Sequence, residues 1–161
     1  MGVIGTGRIG KKMSEVFSAL GLSVIAYDLF PDKYWSKSNK IRYKPFKVLL
    51  QESDIISLHV SPVNNGKAII SKKEIGQMKS GVLIINTSRG QFIVEKDLYE
   101  ALLSKKIGGV GLDVYNEEPY TGKLIQFENV VMTPHVATLT KESRFQMEIE
   151  ATQNLLKFIN Q

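Results

Sequence analysis

The sequence predicts an α/β protein: a three-layer, doubly wound parallel sheet forming a single domain over residues 1–161. Three observations carry this. Short Val/Ile/Leu-rich runs recur along the chain and stay apolar at successive positions, as in parallel strands covered on both faces. Stretches with apolar residues at helical spacing separate them, and that alternation makes right-handed crossovers the natural topology. The first apolar run also breaks into a glycine turn that opens directly onto a helical pattern.

The strand-like runs lie at residues 3–5, 24–27, 55–58, 82–85, 110–114 and 130–132, with a weaker one at 41–43. The first helix is marked by Met13, Val16, Phe17 and Leu20 at i, i+3, i+4 and i+7. Further helical patterns occupy 46–52, 72–78 and 95–103, the last carrying Leu98, Ala101 and Leu102. From about 141 to 159, Phe145, Ile149, Thr152, Leu156 and Ile159 predict a long amphipathic helix. No repeat, linker or low-complexity tract interrupts the alternation.

Composition narrows the functional classes. Charged residues at 23% and apolar residues at 43% are ordinary for a globular domain. The net charge of +5 arises from 21 Lys and Arg against 16 Asp and Glu. Much of it falls between residues 33 and 47, where Lys37, Lys40, Arg42 and Lys44 alternate with aromatics. With no nucleic-acid-reading motif beside it, this segment reads as a solvated surface, and no nucleic-acid partner is expected. The lack of cysteine excludes disulfides, thiolate catalysis and Cys-based zinc sites, and no metal site is expected. No apolar stretch approaches the ~18 residues of a membrane span, and no signal sequence precedes the fold, so a cytoplasmic protein is expected. Met1 to Thr6 matches an N-myristoylation pattern, but Gly2 belongs to a strand that should be buried. Asn86-Thr87-Ser88 is a formal glycosylation sequon placed where the active site is expected.

The glycine turn, Gly5-Thr6-Gly7-Arg8-Ile9-Gly10, is a Gly-x-Gly-x-x-Gly pattern with each residue in a physical role. Gly5 turns the chain out of the strand, Gly7 lets the backbone approach a pyrophosphate, and Gly10 lets the helix pack close to the sheet. The helix N-terminus offers unpaired N–H groups and partial positive charge to the phosphates, and Arg8 adds a cation. Asp28 follows the second strand, 18 residues after Gly10, where an acid accepts hydrogen bonds from the adenosine ribose hydroxyls. A carboxylate there repels a 2′-phosphate, so NAD is favoured over NADP. Strand, glycine turn, helix, strand and acid in register predict the Rossmann fold.

Three later strand ends supply chemistry. The run at 82–85 leads into Asn86-Thr87-Ser88-Arg89-Gly90, the next into Asp113 through Pro119, and the last into Thr133-Pro134-His135-Val136-Ala137. Ligands of a doubly wound sheet lie across the carboxyl ends of its strands, so Arg89, Glu118 and His135 gather on one edge. A planar guanidinium clamps a carboxylate bidentately. An imidazole exchanges a hydroxyl proton near neutral pH, and a carboxylate beside it favours the protonated form and fixes the ring. The combination suits redox exchange between a 2-hydroxy acid and a 2-oxo acid.

With these residues the chain resembles the NAD-binding domain of the D-isomer-specific 2-hydroxyacid dehydrogenases, from residue 2 to about residue 155. The resemblance rests on the glycine turn, on Ser53 through Val60, on Met78 through Gly90, on Gly111 through Pro119, and on Thr133-Pro134-His135. It implies Arg89 as binder of the substrate carboxylate, His135 as acid and base, and Glu118 as its partner. It also implies cofactor contacts from Arg8, Ile9, Asp28, Val60, Thr87, Asp113 and Ala137, with Asp113 near the nicotinamide amide. His59 is then a cofactor-side or structural residue. The chain departs from the family at Ser61-Pro62-Val63-Asn64-Asn65, where a Pro-Leu-Thr-like run is usual. Formate-oxidising relatives carry Gln where Glu118 stands, and the 117–124 stretch is most similar to phosphoglycerate-dehydrogenase-type members.

The family's other domain, which precedes the glycine turn and is completed after the long C-terminal helix, is not found in the sequence. The resemblance therefore implies a cofactor domain that binds NAD(H) without turning over by itself. Its parent would be a homodimer acting on a small 2-hydroxy or 2-oxo acid, 3-phosphoglycerate among the candidates. The alternative is an NAD(H)-sensing, corepressor-like binding module, since a fold alone does not establish an enzyme.

Overall fold

The structure is a computed structural model that describes residues 1–61 and 67–160. Seven strands and six helices follow in the order β1 (Gly2–Ile4), α1 (Arg8–Ala19), β2 (Ile25–Tyr27), α2 (Lys33–Asn39), β3 (Arg42–Tyr43), α3 (Phe46–Glu52), β4 (Ile55–Leu58), α4 (Lys72–Gln77), β5 (Val82–Asn86), α5 (Glu95–Leu103), β6 (Ile107–Leu112), β7 (Val130–Met132) and α6 (Lys141–Ile159). The strands form one parallel sheet in the order β3-β2-β1-β4-β5-β6-β7. The order reverses between β1 and β4, and that switch point is where a doubly wound sheet opens a ligand crevice.

The continuous apolar strands have the predicted cause. Successive side chains point to opposite faces; at β1 and β2 both faces are covered, whereas toward β7 one face stays open, with Leu83 and Val131 exposed. On β1, Ile4 joins a core with Leu49, Leu50, Ile56, Leu58, Ile84, Leu98 and Ile107, on the side of α3, α4 and α5. Its neighbour Val3 points the other way, into a smaller core with Val24, Ala26 and Ile41, which Phe17 and Trp35 close. Each such side chain contributes on the order of 1.5–3 kcal/mol of burial.

Three expectations need correction, and a fourth holds with a difference. The basic segment at 33–47 is not merely a solvated stretch, because it holds α2 and β3. Asp32 caps α2, its Oδ1 accepting from the Trp35 N–H at 3.0 Å. Trp35 and Tyr43 face inward, meeting edge-on at 6.2 Å, while Tyr34 and most of the lysines remain outside. The sixth strand spans Ile107–Leu112 rather than 110–114. The strand begins earlier, with Ile107 and Gly109 paired to β5 across a register shift at Gly108, and Asp113 falls just beyond the strand rather than inside it. The first strand ends at Ile4, and the turn begins at Gly5, whose φ of +90° an L side chain rarely adopts. Finally, α6 forms as predicted, capped by Thr140, yet buries none of its residues: Phe145 is 65% and Phe158 77% exposed. The Ser61–Asn65 departure falls, from residue 62 onward, outside the described residues. Among those described, no helix is long and apolar enough to cross a membrane.

Candidate active site at the carboxyl edge of the sheet

The glycine turn is built as its spacing predicts. Gly10, on the buried face of α1, sits so close to the turn that a Cβ would overlap the Gly5 carbonyl. The corresponding position at Gly7 faces open space, with nothing within 4 Å. Gly7 caps α1 without any side-chain hydrogen bond, so the first-turn N–H groups have no side-chain partner there. Arg8 and Ile9 are exposed beside it. A cradle that only a Cβ at Gly7 would enter, first-turn N–H groups without a side-chain cap and a positive dipole end fit the pyrophosphate of a dinucleotide.

Asp28 follows β2 and is held by Thr6, whose backbone N–H and hydroxyl both donate to Oδ2, at 2.6 and 2.9 Å. The Phe30 N–H donates to Oδ1 at 2.9 Å. Burial pushes this carboxyl up, but the bonds from Phe30 and Thr6 outweigh it and hold Asp28 below the usual carboxylate range. The side chain is therefore a fixed anion. Tyr43 extends the arrangement, its phenol lying 2.7 Å from the Thr6 hydroxyl. Because the Thr6 proton points to Asp28, Tyr43 is the donor.

His59 follows β4 and hydrogen-bonds through Nε2 to the Ser57 hydroxyl at 2.9 Å. Its N–H donates to Ile4 and its carbonyl lies under Gly5, so it abuts the glycine turn from the sheet side. Burial pushes its imidazole pKa down, which favours the neutral ring. The structure thus gives His59 a packing role beside the turn, with Val60 next to it and half-buried.

The loop after β5 is organised by Asn86, which is 1% exposed. Its Nδ2 donates to the Arg89 carbonyl at 2.9 Å, and its Oδ1 accepts from the Ser88 N–H at 3.0 Å. The Ser88 hydroxyl donates to the Leu58 carbonyl at 2.7 Å, tying the loop to β4. This clamp turns Thr87 and Arg89 outward to solvent. It also leaves the sequon asparagine buried and engaged. The Gly90 backbone packs on that of Tyr115, bringing this loop against the one after β6.

Glu118 and His135 meet. Nδ1 of His135 lies 2.9 Å from Oε2 and 3.1 Å from Oε1 of Glu118, and the Tyr115 N–H also donates to Oε1 at 3.1 Å. The His135 contact, with the Tyr115 bond, holds the Glu118 carboxyl below its ordinary range. An ionised carboxylate only accepts, so Nδ1 carries a proton and Nε2 is the nitrogen left for exchange. The described geometry does not bring Arg89 into this pair; its Nη1 donates to the Ser88 carbonyl at 2.6 Å.

His135 occupies a left-handed backbone, φ +55°, a conformation that costs on the order of 1–3 kcal/mol outside glycine. Asp113 holds it there. Oδ1 accepts from the Thr133 hydroxyl at 2.5 Å and the Val136 N–H at 2.9 Å, and Oδ2 from the Ala137 N–H at 3.0 Å. Burial pushes Asp113 up, yet the donors prevail and its pKa is lowered. A lowered folded pKa means stability that is present above the unfolded value of about 3.9 and lost as pH falls through the folded one. Asp113→Asn is expected to cost about 2–4 kcal/mol at pH 7, because an amide nitrogen meets an N–H donor. Urea unfolding at pH 7 and below pH 4 checks this: the deficit should shrink in acid, and an equal deficit at both would remove the charge from the account.

Sequence reasoning missed three members of this edge. Thr6, Asn86 and Tyr43 orient Asp28 and the Arg89 loop. Asn86 carried a readable signal, an Asx residue at a strand end that bonds its own loop backbone. The roles of Thr6 and Tyr43 depend on strands brought together only by folding. No group of three or more potential metal-binding side chains occurs among the described residues.

Comparison with known proteins agrees with the architecture. The profile of the D-isomer specific 2-hydroxyacid dehydrogenase NAD binding domain matches residues 1–137. A hydroxypyruvate reductase of Blautia hydrogenotrophica is 41% identical over 161 residues, 99% of this chain and 50% of that protein. A D-3-phosphoglycerate dehydrogenase of Archaeoglobus fulgidus is 34% identical, covering 96% of this chain and 30% of the relative. The crystal structure of an Aquifex aeolicus D-lactate dehydrogenase, complexed with NAD and lactic acid, superposes with a TM-score of 0.89 at 33% identity, over 99% of this chain and 53% of that one. The chain thus spans about half the length of the Blautia and Aquifex proteins. These matches do not favour a corepressor-like module. The chain belongs to the D-isomer specific 2-hydroxyacid dehydrogenase family, as its NAD-binding domain.

Proposed function

We propose that residues 1–161 form the cofactor half of an NAD-dependent dehydrogenase that interconverts a 2-oxo acid and a D-2-hydroxy acid. The observation that carries the chemistry is the His135–Glu118 pair at the carboxyl edge, with Nε2 of the imidazole left to exchange a proton. NAD(H), when bound, would be the hydride acceptor or donor. The glycine turn and first turn of α1 hold its pyrophosphate, and Asp28 takes the ribose hydroxyls. Val60, Thr87, Asp113 and Ala137 line the nicotinamide end. In reduction, protonated His135 gives its Nε2 proton to the forming alkoxide, while Glu118 balances the charge on the ring. In oxidation the neutral ring takes the proton back. Arg89 clamps the substrate carboxylate after leaving the Ser88 carbonyl, a rotation its exposed position permits.

Hydroxypyruvate, lactate and 3-phosphoglycerate are the substrates to assay, as compounds named for the relatives. A cytoplasmic homodimer as the full protein completes the proposal; the family resemblance and the need for NAD(H) support it. Isothermal titration of the 161-residue chain with NADH tests the cofactor half. Saturable heat with one site per chain is expected, and no heat at millimolar NADH would overturn the reading.

A further inference from the structure

Beside Asp28 lies a second acid whose partner bears on cofactor choice. The Lys11 ammonium, on α1 next to the glycine turn, lies 2.5 Å from Oδ2 of Asp32 and 5.7 Å from the centre of the Trp35 ring. Asp32 also caps α2 through Oδ1, and its N–H donates to the Tyr43 phenol at 3.2 Å. That phenol donates to Thr6, and Thr6 donates to Asp28. The cation and both acids are therefore joined in one network around the adenosine-ribose end. Lys11 and Asp32 are both about a third exposed, 31% and 38%, so their attraction contributes little to folding. The consequence of the pairing is the placement of charge.

We propose that the Lys11–Asp32 pair is a specificity device: Asp32 engages the cation that could otherwise receive a 2′-phosphate, and so reinforces the rejection of NADP(H) by Asp28. A 2′-phosphate brings close to two negative charges and needs cationic donors. The network offers it the Asp28 carboxylate and an ammonium already neutralised. Asp32 acts through Lys11 and is a positioning residue. The inference rests on the reading that Asp28 faces the ribose.

Asp32→Asn is the informative change, because the amide oxygen still caps α2 while the charge is lost. NADH and NADPH affinities are measured by fluorescence titration for the wild type, D32N and D32N/K11Q. Wild-type binding of NADH tests the family reading separately, and its failure would sink both. Given that binding, D32N should hold NADH within about twofold and gain about fivefold or more for NADPH at low salt, the gain fading as salt rises. Adding K11Q should erase the gain. A gain that survives K11Q would overturn the role of Lys11, since Asp32 would then act only by repulsion. No gain, or loss of NADH binding in D32N, would overturn the proposal outright.

Discussion

Alanine at position 135 is expected to lower kcat for 2-oxo-acid reduction by about a thousandfold, with NADH affinity unchanged within about twofold. The assay uses a hybrid in which this chain replaces the matching half of the Blautia hydroxypyruvate reductase. The expectation follows from geometry. Glu118 holds Nδ1 at 2.9 Å, which fixes the ring and leaves Nε2 as the exchanging atom. No other imidazole stands in for it: His59, the second histidine in the chain, is turned to the Ser57 hydroxyl behind the glycine turn. Glu118→Gln should act in the same direction and more weakly, since an amide still orients the ring but does not balance its charge. Turnover that survives His135→Ala would remove the residue from the reaction.

The second large effect concerns the glycine turn, where two alanines should fail for different reasons. In Gly10→Ala the new Cβ collides with the Gly5 carbonyl, and backbone cannot step aside as a side-chain tip can. We expect a loss of about 3 kcal/mol or more in urea unfolding, with NADH binding lost as the turn distorts. In Gly7→Ala the Cβ meets nothing within 4 Å and the backbone φ of −66° suits any residue. That variant should unfold like the wild type and still lose NADH affinity by tenfold or more, because its methyl group stands in the pyrophosphate cradle. Equal affinity in Gly7→Ala would show that the cradle is not where the dinucleotide lies.

Legibility in the sequence followed the range of the interactions. The glycine turn, the presence of seven strands and the Glu118–His135 pair were readable because each depends on local pattern plus the single rule that parallel strands end on one edge. The α2 helix was hidden by charge: Lys33, Lys37 and Lys40 suggested solvent, while the apolar contact came from Trp35 and Tyr43 across a turn. β6 was misplaced because Gly108 and Gly109 weaken a strand locally, and pairing with β5 outweighs that. Asp113 looked like a ligand for cofactor alone, yet most of its bonding serves the left-handed turn at His135, as only the folded backbone reveals. The exposed apolar residues of α6 show the opposite case, a helix read correctly from its pattern although none of its residues is buried.

The order of strands in the sheet has a consequence for how the protein is made. β1 precedes every other strand in the chain yet lies inside the sheet, between β2 and β4. Parallel neighbours cannot join by a hairpin, so each pairing waits for a crossover. Gly2 must find Ile25 on one side and Ile56 on the other. Within this domain, the segment that carries the cofactor turn is therefore made before either of its partner strands, and is paired on both sides only once Ile56 has followed. Loop closure of that length slows folding. The glycine turn thus becomes secure only when β4 has joined the sheet, one crossover later than the β1–β2 pair that bears it.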